Sequence, residues 1–528
     1  MTANSVLVVA GIVCATLTEA IAGTALSLGR FHIGGDAHAT PDEVAWLDTA
    51  YTALKLMGFM FAPWLLIRVR PRSLIVVSTL VMGAACLLAA MTARLDLLLG
   101  LRALQGFAGG TLLVAGQTIV FLAFARQRQP ALQALFAIGS VVAPATITPA
   151  LGGWLLDDLS WTWIFFSVVP LALAGAGLLL LAGGPAPLAT ERRAFDWVGF
   201  SLLSTALCCS TYVLSQGSRW NWLAEPRIVW VTTIGAAALL AFLGQQAMAG
   251  SKGLLDVSLF RSDDFAFASV VSPVAGAALF GSAFLIPSFA VSRLAFTPTD
   301  AGLLLLPGSA SFVGALLLSA YLLQVRRVPP IATVPFGVLT IMVAMWMLSG
   351  STSDSSAGDM MAAILLRGLG LGFLFLSITL VAFGKLPDRS LACGIALFNT
   401  GRQLGGLMGV AALQTLIDHE AAANVAVLGA NITAGVPAVA ERLTSTAAAL
   451  TAKGLDLAAA TAASASLLGR AVTGQAIVIA FDTAFTAIAL FLAIAAPVLV
   501  GFKVGLLRYA KARAARMPFA SPGSKSVA

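Results

Sequence analysis

GSVVAPATITPALGGWLLDD, residues 139–158, decides how the rest of the chain is read. The run is apolar and long enough to belong to a membrane helix, yet it holds Pro144, Pro149 and the pair Gly152-Gly153. Proline lacks a donor N–H and clashes with the preceding turn, which costs about 3 kcal/mol in a helix in water. In a membrane bundle, neighbouring helices and local adjustments re-satisfy the freed backbone groups. Small residues such as Gly139, Gly152 and Gly153 let a second helix come close. The stretch therefore predicts a close-packed helix bent at Pro149.

Composition agrees with that solvent. The 528 residues are 59% hydrophobic and 10% charged, with mean hydropathy +0.94. A soluble domain carries roughly 25% charge. The chain reads as an all-α polytopic membrane protein. Its net charge of +8 is assigned to loops facing anionic lipid, not to nucleic acid. Five cysteines lie in apolar stretches without disulfide or zinc spacing. No basic n-region precedes the first apolar run, which reads as a retained helix and not a cleaved signal.

A spanning helix needs roughly 20 apolar residues. About fourteen candidates result: 5–28, 44–69, 73–92, 97–124, 130–156, 161–181, 197–214, 228–247, 265–291, 300–323, 328–348, 357–383, 391–417 and 475–501. With both termini inside, alternate loops and the tail hold 19 lysines and arginines against 8 on the other side, so both termini are expected in the cytoplasm. Residues 419–474 form an Ala/Thr/Ser-rich excursion on the outer side, a solvated helical segment or a docking surface. LLLGLRALQGFAGGTLL around Arg102 resembles AAILLRGLGLGFLFL around Arg367. Repeated halves are how many transporters are built.

Ionisable residues inside spans are functional candidates, because each costs about 2.5–3.5 kcal/mol to insert. Five stand out: Glu19, Lys55, Arg102, Arg367 and Arg402. Glu19 lies roughly 21 Å in from the inner side and Lys55 roughly 17 Å in from the outer side. Both fall near mid-membrane, where an ion pair is possible. Asp48, Thr52 and Lys55 share one helix face. A protonatable Glu19 answering to a nearby cation has the chemistry that proton coupling needs, with Arg102, Lys55 and Asp48 around it. Arg102 has Gln105 one turn away, and Arg402 has Asn399 and Gln403 beside it. Gln105, Arg367, Asn399 and Arg402 are candidates for the central cavity. The two arginines bind anionic substrate groups or satisfy helix carbonyls. Asp482 reads as a packing residue. His32, His38 and His419 lie at outer edges and are taken as loop residues, with no metal expected. No nucleophile–base pair, phosphate loop or nucleotide fold is visible, so neither an enzyme nor a cofactor is expected.

These residues resemble a known family. Over nearly its whole length the chain is similar to the major facilitator superfamily, in particular the fourteen-helix drug:proton antiporter group of the EmrB/QacA type. LRALQGFAGG resembles the helix-4 motif through Arg102, Gln105 and Gly106. The opening stretch resembles the helix-5 antiporter motif through Gly139, Pro149, Gly152 and Gly153, with Thr148 where the pattern has glycine. SWTWIFFSVVP, DVSLFRSDDF, LLLLPGSAS and FNTGRQLGG also have family-like positions. Two departures mark a divergent member. Glu19 in LTEAIAGTALS stands one place after the family's helix-1 acid, and FAPWLLIRVRPRS lacks the usual acid of the loop between helices 2 and 3.

The resemblance implies two six-helix bundles: 1–182, and 264–505 with the excursion 419–474. Two linker helices fall in 183–263 and a basic cytoplasmic tail in 506–528. It implies a proton-coupled exporter of amphipathic small molecules in a bacterial inner membrane, working by alternating access. Gly139, Thr148, Pro149, Gly152 and Gly153 would line a gate helix. Membrane lipid, a small-molecule substrate and protons are then its partners, with a periplasmic adaptor and an outer-membrane channel implied by the Gram-negative members. A facilitator or symporter of one metabolite, and a non-transporting sensor or enzyme, are the competing readings.

Overall fold

The computed structural model describes residues 3–183, 194–250, 253–433 and 435–516. Arg192, Arg193, Lys252 and Lys525 of the charge count, and residues 517–528 of the tail, lie outside the described residues. Sixteen α-helices order the described chain: α1 (Ala3–Asp36), α2 (Pro41–Arg68), α3 (Pro71–Ala90), α4 (Leu95–Leu122), α5 (Gln129–Ala137), α6 (Thr148–Asp158), α7 (Thr162–Leu181) and α8 (Trp197–Gln216). Then follow α9 (Pro226–Ala249), α10 (Asp263–Arg293), α11 (Pro298–Gln324), α12 (Thr333–Leu348), α13 (Ala357–Phe383), α14 (Asp388–Ala430), α15 (Pro437–Ala452) and α16 (Leu457–Arg516). A π-helix, Ile138–Ile147, joins α5 to α6.

Helix starts follow local chemistry. Proline occupies the first turn of α2, α3, α9, α11 and α15, where its missing N–H is harmless. Thr40 with Glu43, Thr297 with Asp300, and Ser356 with Asp359 form capping boxes at α2, α11 and α13. These three helices start on the same face, opposite the one that holds the α2–α3 and α4–α5 connections.

Thirteen described helices are long and apolar enough to cross a membrane. The remaining expected span, 391–417, is the middle of α14. Asn399, Arg402 and Gln403 lower its hydropathy, and it packs against α2, α10 and α16. The expected excursion continues the membrane helices. α14 runs on to Ala430, α15 forms its own helix, and α16 starts at Leu457. At 60 residues, α16 measures about 90 Å, roughly twice a whole bilayer.

Two bundles emerge from the packing. In the first, α1 packs on α7, α2 on α4, and α3 on α4 and α7. In the second, α10 packs on α14, α11 on α13, α12 on α13, and α14 on α16. The sequence repeat reappears as geometry. Gly106 of α4 faces Tyr51 of α2 so closely that a Cβ would overlap its carbonyl, and Gly368 of α13 meets Gly308 of α11 in the same way. Arg102 and Arg367 thus sit on equivalent close-packed helix pairs.

The helices α8 and α9 pack on each other, and α8 also touches α2 and α14. Their connector joins the two bundles. Arg219 pairs with Asp42 in the first turn of α2 at 2.8 Å, and Ser218 donates to Asp418 of α14 at 2.8 Å. The Trp222 indole N–H donates to Thr415 Oγ1 at 3.0 Å.

The bundles also share apolar cores. Near the basic connections, Leu112, Phe121 and Phe136 belong to one buried cluster with Phe383, Leu391 and Phe398. Phe121 and Phe383 meet edge to face, with centroids 5.5 Å apart. Further across, Val141, Val142 and Ala145 of the π-helix join Leu304, Leu305 and Phe289.

The opening stretch departs from a bend at Pro149 alone. Its irregularity is the π-helix that precedes Pro149 and contains Pro144. There the Thr148 N–H reaches back five residues to the Ala143 carbonyl. The wider winding bypasses carbonyls that proline leaves without a donor. Gly139 is needed for close approach, since a Cβ would overlap Thr16 Oγ1 of α1. Gly153 faces Pro298 and Thr299 at the start of α11, with a Cβ 2.5 Å from the Pro298 carbonyl. Gly152 corrects the expectation: nothing lies within 4 Å of its Cβ position, so it does not serve helix contact. We expect Gly152→Ala to leave the thermal midpoint of the purified protein unchanged and Gly153→Leu to lower it. Fluorescence-detected size-exclusion after heating checks both.

Candidate functional site

The Glu19–Lys55 pair is present. Glu19 on α1 is 2% exposed, and its Oε1 lies 2.5 Å from Lys55 Nζ on α2. A buried carboxylate needs a partner or it is neutralised. Lys55 supplies the charge and Tyr51, one turn earlier on α2, supplies a hydrogen bond. The Tyr51 hydroxyl donates to Glu19 Oε1 at 2.9 Å. Beside the expected stripe of Asp48, Thr52 and Lys55, Tyr51 is the residue of that turn that reaches α1.

Arg102 on α4 is 1% exposed. Its Nη1 donates to the Ala22 carbonyl at 2.6 Å and to Gln105 Oε1 at 3.0 Å. Nη2 lies 3.9 Å from Asp48 Oδ1, and Asp48 is half exposed. Nε and Nη2 make no hydrogen bond. The guanidinium instead lies over the Tyr51 ring, 4.2 Å from its centroid. Cation–π attraction is strengthened when the pair is desolvated. Gln105 is fully buried and holds Arg102, so it positions the arginine instead of facing a cavity.

The second bundle separates its two arginines. Arg367 on α13 is 1% exposed; its Nε donates to Ser282 Oγ at 2.7 Å and its Nη2 contacts the Leu279 carbonyl at 3.5 Å. It ties α13 to α10. Arg402 on α14 is partly accessible. Among the described residues it has no hydrogen bond or ion pair, and its contact is the Phe375 ring at 5.7 Å. Asn399 bridges the bundles: its Nδ2 donates to Gln117 Oε1 of α4 at 3.0 Å and to the Ile395 carbonyl at 2.9 Å. The bond to Gln117 crosses the interface between the bundles.

The helix-5 segment supplies a second junction. Thr148, where the family pattern has glycine, shares a 2.6 Å hydroxyl contact with Thr24 of α1 and donates to the Ala143 carbonyl at 3.2 Å. At the far end, Asp157 Oδ2 accepts from the Thr299 backbone N–H at 3.1 Å and from its hydroxyl at 2.5 Å. Gly302 of α11 would overlap Pro149 and Ala150 if it had a Cβ. Pro149 and Gly153 thus lie on the crossing of α6 with α11, and Gly139 and Thr148 lie against α1.

Sequence reasoning missed Tyr51. Its signal is position: it lies three residues after Asp48 and four before Lys55, on the face already marked as polar. Asp482 on α16 differs from a simple packing residue, since its Oδ1 is buried without a hydrogen bond.

The family model described as Major Facilitator Superfamily matches residues 8–410. The Multidrug export protein EmrB of Escherichia coli (strain K12) is 25% identical over 405 residues, 76% of this chain and 78% of that protein. The Fatty acid resistance protein FarB of Neisseria gonorrhoeae is 24% identical over 395 residues, 74% of this chain and 76% of that protein. Among solved structures, a bacterial homolog of the human lysosomal transporter Spinster, in an inward-facing and unoccupied conformation, aligns with a TM-score of 0.54 at 12% identity. That alignment covers 96% of this chain and 98% of the other, and it supports the fold. The matched length, the two helix bundles and the motifs on α4 and α6 agree: the chain belongs to the Major Facilitator Superfamily, as a divergent member of its EmrB type.

Proposed function

We propose that this protein exports amphipathic small molecules across a bacterial inner membrane in exchange for protons, with both termini in the cytoplasm. The observation that carries the reading is the buried Glu19–Lys55 pair on two helices of one bundle. A proton on Glu19 removes the charge that holds Lys55, so protonation alters the attraction between α1 and α2. That gives a proton a differential effect on two arrangements of the bundle, which coupling requires. Relatives named for multidrug export, colistin resistance and fatty acid resistance support an amphipathic cargo. Arg402 is the donor for acceptor groups on that cargo, and Arg367 is structural. The crossing of α6 with α11 is one gate. The Asn399–Gln117 bond with the Phe121–Phe383 contact is the other. The projecting ends of α14 and α16, with α15, are the surface for a periplasmic adaptor leading to an outer-membrane channel.

The direct test uses proteoliposomes with an imposed pH gradient and ethidium or a long-chain fatty acid as probe cargo. Cargo addition should dissipate the gradient; cargo movement without proton movement would overturn the coupling. Arg402→Ala should keep a normal thermal midpoint while lowering kcat/KM about tenfold, the cost of one hydrogen bond to a charged group. Arg367→Ala should lower the thermal midpoint itself. Equal thermal behaviour of the two variants would contradict the separate roles.

Thr148→Gly removes the hydroxyl contact between α6 and α1. We expect a raised passive leak of cargo with the fold kept, read from efflux in the absence of a gradient. Shortening the connection between Ala430 and Leu457 should impair export by cells more than transport in proteoliposomes.

A further inference from the structure

We propose that Tyr51 is a positioning residue through which Arg102 acts on Glu19, an inference that rests on Glu19 being the coupling acid. Arg102 makes no hydrogen bond or ion pair with Glu19 among the described residues. Its hydrogen bonds go to the Ala22 carbonyl and to Gln105. Two of its nitrogens, Nε and Nη2, are buried without a hydrogen bond, and the group lies over the Tyr51 ring. The Tyr51 hydroxyl in turn donates to Glu19 Oε1, the oxygen that meets Lys55. One aromatic side chain, itself 2% exposed, thus touches the arginine with its face and the acid with its edge.

The chemistry gives this contact a direction. A cation over a phenol ring draws electron density from the ring and makes its O–H a stronger donor. A donor to the charged form of a carboxyl favours that form. Arg102 therefore stabilises the Glu19 carboxylate through Tyr51 in addition to its through-space charge. Hydrogen bonds of this kind polarise one another in a dry interior.

Close packing fixes the arrangement. Gly106 leaves no room for a side chain against the Tyr51 carbonyl, and at Gly109 a Cβ would approach Glu19 Cγ at 2.8 Å. These two glycines of α4 press α2 and α1 together and hold Tyr51 between Arg102 and Glu19. The charged and titratable groups around Glu19 are Lys55 and Tyr51 on α2, Arg102 on α4 and Arg402 on α14. Asp48 on α2 lies one step away, 3.9 Å from Arg102 Nη2, and Cys86 on α3 is buried in the same bundle.

The test titrates the purified full-length protein by infrared difference spectroscopy, following the protonated-carboxyl band that Glu19→Gln abolishes. Tyr51→Phe keeps the ring under Arg102 and deletes the donor. The midpoint of that band should move up by about one pH unit, the scale of one hydrogen bond to a charged group. Replacing Tyr51 by difluorotyrosine keeps the shape and strengthens the donor, so the midpoint should move down, and this variant stands in should Tyr51→Phe fail to fold. Arg102→Gln should move it up by less in the Tyr51→Phe background than in the wild type. Unchanged midpoints with Tyr51→Phe and difluorotyrosine, full additivity with Arg102→Gln, or no Glu19-dependent band would overturn the inference. A shifted band with an unshifted pH profile of gradient-driven transport would leave the Tyr51 role intact and remove Glu19 as the coupling acid.

Discussion

The burial of one carboxylate constrains the centre of this protein. Glu19 is 2% exposed on the first helix, where an uncompensated charge would cost several kcal/mol. Everything around it reduces that cost. Lys55 neutralises it, Tyr51 donates to it, and Arg102 supports Tyr51 from behind. Gly106 and Gly109 let α4 press close enough for these contacts to form. The same constraint explains why the α2–α4 pair is so tightly packed: any side chain at Gly106 would push Tyr51 away from the acid.

The two bundles use arginine in different ways. Arg102 sits beside an acid and an aromatic ring. Arg367, its counterpart in the repeat, ties α13 to α10 through Ser282 and the Leu279 carbonyl. The second bundle instead offers Arg402, which is partly accessible, rests against the Phe375 ring and makes no hydrogen bond or ion pair among the described residues. On the proposed function, proton chemistry belongs to the first bundle and cargo recognition to the second. A change in the interface between the bundles is then felt by both, which alternating access needs. The interface is held by the α6–α11 crossing, the Asn399–Gln117 bond and the connector between α8 and α9.

Much of this was legible in the sequence for physical reasons. Apolar runs near 20 residues gave the helices, and the cost of intramembrane charge singled out Glu19, Lys55 and Arg102. The α-helical period placed Asp48 and Lys55 on one face. What escaped has equally physical causes. Tyr51 is aromatic in a chain where aromatics are ordinary lipid and core residues, so composition hides it. Asn399 and Gln117 lie 282 residues apart, and no local pattern pairs them. The π-helix arises from how the backbone between Ala143 and Thr148 settles around Pro144, and hydropathy carries no trace of it. Gly152 and Gly153 look equivalent in sequence, yet only one of them faces α11.

The central claim is that Glu19 couples protons to movement without being needed for movement itself. The measurement that separates these is a comparison, in one set of proteoliposomes, of cargo exchange at equilibrium with cargo accumulation driven by a pH gradient. For Glu19→Gln the account predicts exchange near the wild-type rate and no accumulation. Gradient-driven accumulation by Glu19→Gln at the wild-type level would contradict it.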